Sequence, residues 1–184
     1  VASQPAEANV VIFTSDHGES FDDLHLKKPH SHCVRESETH VPLIIQTGQG
    51  RGTRVSGLAS HLDILPTVLN LLGEQPPETM PGESLVPALT EGKSPEKEAV
   101  FVSYYDPRRT DARLSFMQYG AQGKNFLYFR NQDDAFTSLT KVGDSLGSNP
   151  VEMPYSGEPY MLRLYAEKIF HELQDNPAAL FNRR

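Results

Sequence analysis

The chain has 184 residues and sets 24 acidic against 17 basic side chains, a formal charge of −7 with histidine neutral. That balance speaks against a general nucleic-acid binder or a protein of anionic membrane surfaces, since both need a cationic footprint. A single cysteine, Cys33, excludes an internal disulfide and a cysteine-built zinc cage, and no apolar stretch approaches the roughly 18 residues of a membrane span.

The length suits one domain, or one domain with a small appendage, and is enough to bury a real core. The chain starts at Val1 and reaches a core-type strand within ten residues, so a cut inside a longer protein is expected. The compartment is left open.

Residues 9–15 are an apolar run that predicts a strand buried on both faces. Asp16 to His40 then forms a long loop dense in charge-handling groups, with a helical turn expected between Cys33 and Thr39. A second buried strand is predicted at Val41–Ile45, with Pro42 confined to its start or edge. A helix follows over 60–73. Ser60 with Asp63 makes a capping-box start, Pro66 suits the first turn, and Gly73 is a natural stop. Leu65, Val68, Leu69 and Leu72 share one face at helical spacing, which predicts packing against the sheet.

Residues 74–98 read as surface loop with an apolar turn at Leu85–Leu89. Ala99–Tyr105 predicts a strand, and Leu114–Tyr119 with Asn125–Arg130 an antiparallel pair around Gly120 and Gly123. The signal from 131 to 156 is weak. Residues 158–174 predict a helix with Met161, Leu164, Tyr165, Ile169, Phe170 and Leu173 on its apolar side. The expected fold is therefore α/β: a partial mixed sheet flanked by helices, with a small C-terminal antiparallel α+β subdomain. The expected division is 1–98 and 99–184.

The chemistry concentrates where the first strand ends. Open α/β sheets bind ligands beyond the carboxyl ends of their strands. There Asp16 offers carboxylate oxygen and His17 imidazole nitrogen to a divalent cation, and Gly18 permits the backbone angles that would let both converge. Five of the seven histidines lie between His17 and His40. Glu19 is positioned to orient His17 through its second nitrogen. His40 reads as an edge residue, Cys33 as a small packed side chain, and Asp63 as a helix cap rather than a ligand.

Four motifs in order, Thr14-Ser-Asp-His-Gly-Glu19, His30-Ser-His32, Thr39-His-Val-Pro-Leu-Ile-Ile45 and Ser60-His-Leu-Asp-Ile-Leu-Pro-Thr-Val-Leu69, resemble the C-terminal half of a sulfatase, within the alkaline phosphatase superfamily. The resemblance covers residues 9–90. It implies an alkaline-phosphatase-like fold and hydrolysis of sulfate monoesters by a formylglycine made from the Cys or Ser of a Cys/Ser-x-Pro/Ala-x-Arg motif. It also implies a divalent metal, usually calcium, held by two N-terminal aspartates, the formylglycine and a later Asp-Asn or Asp-His pair. Asp16 and His17 match that pair. His30 falls where relatives place a group facing the sulfate, His32 competes for that role, and Lys28 would steady a bound anion.

Cys33 is followed by Val34-Arg35-Glu36-Ser37, so it is not the nucleophile motif. The nucleophile and the paired aspartates are expected in an N-terminal half preceding this chain. The expected partners are therefore a small sulfate ester and the remainder of the same catalytic domain. The chain alone is expected to be inactive. Two alternatives stand beside this reading. One is a phosphoethanolamine transferase or phosphodiesterase of the same superfamily using zinc or manganese; the other is a non-catalytic metal-binding module.

Overall fold

The computed structural model describes residues 9–19, 34–48, 52–105, 116–131, 137–143, 154 and 156–175. Lys28, His30, His32 and Cys33, with the readings made of them, lie outside the described residues.

Two antiparallel sheets carry the structure. In the first, β1 (Val11–Thr14) pairs with β2 (Leu43–Gln46), Ile12 opposite Ile45 and Phe13 opposite Ile44. Pro42 sits just before β2, where its missing donor costs no ladder bond. These strands are not buried on both faces. Val11 is 54% exposed, Phe13 59% and Ile44 60%, because no described residue covers that face.

Between the two strands, α1 (Glu36–Thr39) is the single helical turn expected there. The later helix begins as a 3-10 turn at His61–Asp63 and continues as α2 (Ile64–Leu71). Its capping box forms: the Ser60 hydroxyl accepts from the Leu62 amide, and the Ser60 amide donates to Asp63 Oδ2 at 2.8 Å. Gly73, at φ 82°, lies just past the helix end, in the left-handed region that other residues enter at a cost. The expected apolar face of this helix is incompletely covered. Pro66 and Thr67 are buried, whereas Leu65 and Leu72 are exposed. The apolar turn after it is α3 (Val86–Glu91).

The second sheet is a four-stranded meander, β3 (Val100–Tyr105), β4 (Phe116–Gln122), β5 (Phe126–Asn131) and β6 (Thr137–Lys141), in that spatial order. Gly120 does not turn the chain; it lies inside β4. A Cβ there would sit 2.0 Å from the Tyr128 carbonyl oxygen, so glycine allows β5 to approach closely. The strand β6 comes from the weak 131–156 region, and its one large apolar residue, Leu139, is buried.

Both faces of this sheet are covered. On one lies α4 (Gly157–Asp175), which buries Leu162, Ala166, Ile169 and Leu173 at spacings of four, three and four. Leu162 and Ala166 pack with Tyr119, Ala121, Tyr128 and Leu139, and Phe170 stacks on Tyr119 at 4.0 Å. The buried stripe is rotated from the expected one, since Met161, Leu164 and Tyr165 are exposed. On the other face, Val34 packs against Leu127 and Phe129, with Val102 and Tyr104 beside them. The Val34 amide donates to Gln118 Oε1 at 2.7 Å, and Gln118 Nε2 donates to Asn131 Oδ1 at 2.7 Å. The C-terminal sheet is thus the base on which the segment ahead of β2 is mounted.

Candidate metal centre

The end of β1 is tied to that mounted segment. The Gly18 amide donates to the Glu38 carbonyl at 2.8 Å. A Cβ on Gly18 would stand 2.0 Å from the Ser37 carbonyl oxygen. Gly18 is not among the residues of positive φ, so its value here is the missing side chain, not unusual backbone angles. Losing one Cβ lets the 15–19 loop lie directly against α1.

Asp16 and His17 do converge. His17 Nε2 lies 3.8 Å from Asp16 Oδ2, and the His17 amide donates to Asp16 Oδ1 at 2.9 Å. The other ring nitrogen, Nδ1, is 2.7 Å from the Gly18 carbonyl, which only accepts, so Nδ1 carries the hydrogen. That bond leaves the Nε2 lone pair of the neutral ring on the side of the carboxylate. The Gly18 backbone carbonyl thus orients the ring.

The amide of His17, and then the charge of its ring, hold the Asp16 carboxyl below the usual carboxylate value. The Gly18 carbonyl raises His17 above the ordinary histidine value; burial opposes the rise, and the charges of Asp16, Glu19 and Glu38 add to it. An anionic oxygen and a tautomer-fixed imidazole are the donors a divalent cation takes, at bonds of about 2.0–2.6 Å. A separation of 3.8 Å lets one ion touch both. The donor chemistry fits such an ion, but the set is incomplete. Among the described residues, no three His, Cys, Asp or Glu side chains gather into a metal site.

The pair opens into a cleft of about 360 Å³ lined also by Glu38, Thr39, Ser60, His61 and Tyr104. Glu38 is nearly buried there, and the sequence reading did not single it out. Nothing local marks it, because the burial comes from the close approach at Gly18. Asp63 takes the capping role read from the sequence and a further one. It is fully buried, and its Oδ1 accepts from the Glu83 amide at 2.8 Å and Lys97 Nζ at 2.7 Å. Among the described residues, no helix is long and apolar enough to cross a membrane.

Residues 2–74 match the family described as Sulfatase, members of which usually bind a divalent metal. The multifunctional alkaline phosphatase superfamily protein PehA of Trinickia caryophylli is 39% identical over 87 residues, 46% of this chain and 16% of that protein. Bovine arylsulfatase K is 35% identical over 86 residues, again 46% of this chain and 16% of that protein. The chain therefore matches about one sixth of the length of these relatives. A protein solved in complex with its substrate D-glucosamine-2-N,6-O-disulfate superposes with a TM-score of 0.73 at 22% identity, covering 92% of this chain and 35% of that one. At such identity the likeness is one of fold, and it extends through the C-terminal sheet that the sequence motifs do not reach. Residues 2–74 thus resemble sulfatases in sequence, and the fold is the alkaline-phosphatase-like fold seen in sulfatases.

Proposed function

We propose that this chain is the C-terminal part of the catalytic domain of a sulfuric ester hydrolase. In this reading residues 1–98 contribute half of the active site and residues 99–184 form the subdomain that supports it. Asp16 and His17 are two ligands of a divalent cation, calcium in the sulfatase setting. The remaining ligands and a formylglycine nucleophile come from an N-terminal half. The observation that carries the reading is the facing of Asp16 Oδ2 and His17 Nε2, with the imidazole held by the Gly18 carbonyl.

A cation bound there would polarise the ester oxygens and hold the nucleophile. His30 faces the transferred sulfate and steadies the charge that develops on it, while His32 and Lys28 bind its other oxygens. The exposed faces of β1 and β2 support the reading, because Val11, Phe13 and Ile44 are the apolar residues an adjoining part of the domain would cover.

The test joins this chain to the coding sequence upstream of Val1. The joined protein hydrolyses an aryl sulfate and holds metal, and Asp16→Ala loses both. Retained turnover together with retained metal in that variant overturns the ligand assignment. His30→Ala lowers turnover and leaves metal content unchanged; loss of metal would give His30 a different role.

A second reading keeps the site and changes the ester. An imidazole ligand suits zinc or manganese better than calcium, and one relative is a multifunctional alkaline phosphatase superfamily protein. Faster turnover of a phosphate diester than of a sulfate ester by the joined protein selects this reading.

A further inference from the structure

His61 reaches across 46 residues of sequence to the strand end that carries the proposed ligands. Its Nε2 lies 2.8 Å from the carbonyl oxygen of Ser15, immediately before Asp16. Among the described residues, the other side-chain contact to that oxygen, from Thr14 Oγ1, is 3.5 Å long, so the ring supplies the good hydrogen bond. The base of the ring is rigid. Ser60 and Asp63 close a capping box around His61, and Asp63 is pinned at 0% exposure by the Glu83 amide and Lys97. Ser60, His61, Asp16 and His17 all line one cleft.

We infer that His61 is a positioning residue: its Nε2–H hydrogen bond to the Ser15 carbonyl sets the direction in which Asp16 and His17 leave β1. The inference rests on the reading of those two residues as metal ligands. Its physical basis is the difference between the two ends of the 15–19 loop. Gly18 is locked to α1 by the Glu38 carbonyl, with the Ser37 carbonyl close against it. At the other end, where β1 gives way to the loop, the described side-chain bond reaching in from a distant element is that of His61. A loop fixed at one end alone carries the ligands through a range of separations. Fixed at both ends, it holds them at a separation one cation spans.

Two measurements test this. In the 184-residue chain, long-range proton–nitrogen NMR of the neutral His61 ring should find the hydrogen on Nε2, because a carbonyl only accepts. A ring with its hydrogen on Nδ1 overturns the inference. In the joined protein, chelator-buffered calcium titration should show His61→Ala weakening metal affinity roughly three- to tenfold, the loss expected of one net hydrogen bond. His61→Gln, whose amide nitrogen can reach the same carbonyl, should recover most of it. Unchanged affinity in His61→Ala, or no recovery in a folded Gln variant, overturns the positioning role. Asp16→Ala in the same titration separates the two claims. If it binds calcium as tightly as the parent, the ligand reading itself fails. If it loses the ion while His61→Ala does not, the inference alone fails.

Discussion

Leu127, Tyr128 and Phe129 of β5 are buried by layers on both sides of their sheet, whereas Val11, Phe13 and Ile44 of β1 and β2 stand more than half exposed. The two regions are comparably apolar in sequence. They differ in what lies against them. The meander has α4 on one face and the Val34 segment on the other; the β1–β2 pair has a partner strand and an open face. An apolar strand specifies that it will be covered, not by which polypeptide. The first region is completed by this chain, and the second is the region where the proposed catalytic domain would continue.

The largest effect should come from the polar node between the two regions. Lys97→Ala leaves Asp63 buried as a carboxylate without its cation, which should cost about 3–5 kcal/mol in chemical unfolding. A loss under 1 kcal/mol would show that the node is solvated. Next, Leu162→Ala in the covered region should cost about 3 kcal/mol, while Phe13→Ala in the 184-residue chain should cost less than about 1 kcal/mol. Equal losses would erase the contrast between the regions. In the joined protein the Phe13 loss should grow toward that of Leu162, and no growth would leave β1 uncovered there too.

Smaller still is an alkaline effect confined to the covered sheet. Burial pushes the Tyr128 hydroxyl from 10.0 up to about 12. Between those values the unfolded chain has released its phenolic proton and the folded chain has not. Stability is therefore full below pH 10 and falls as pH rises, by roughly 2 kcal/mol at pH 12. Tyr128→Phe should remove this share of the slope. At neutral pH it should cost little, because the hydroxyl has no hydrogen-bond partner among the described residues. An unaltered alkaline slope in that variant would place the tyrosine in water.

What the sequence shows is what neighbouring residues decide together. Ser60, Asp63, Pro66 and Gly73 mark the start, first turn and stop of a helix through contacts within a few residues, and all four appear in those places. The Asp16–His17 pair is legible for the same reason, being adjacent in sequence and held by the next carbonyl. Decisions made at long range are hidden. The strand β6 carries one large apolar residue, Leu139, and exists because β5 pairs with it. The stripe of α4 runs through Ala166, whose small size hides it beside Tyr165. Gly18 reads as a flexible residue until Ser37 is seen against it. His61 reads as a helix-start residue until its ring is seen on a carbonyl 46 residues away.

The central claim is a cation shared by two side chains at the end of β1. A crystal structure of the joined protein grown with calcium tests it most directly. The account predicts one ion within about 2.6 Å of both the Asp16 carboxylate and His17 Nε2. An ion bound elsewhere in the cleft, or these two side chains turned away from it, would contradict the account.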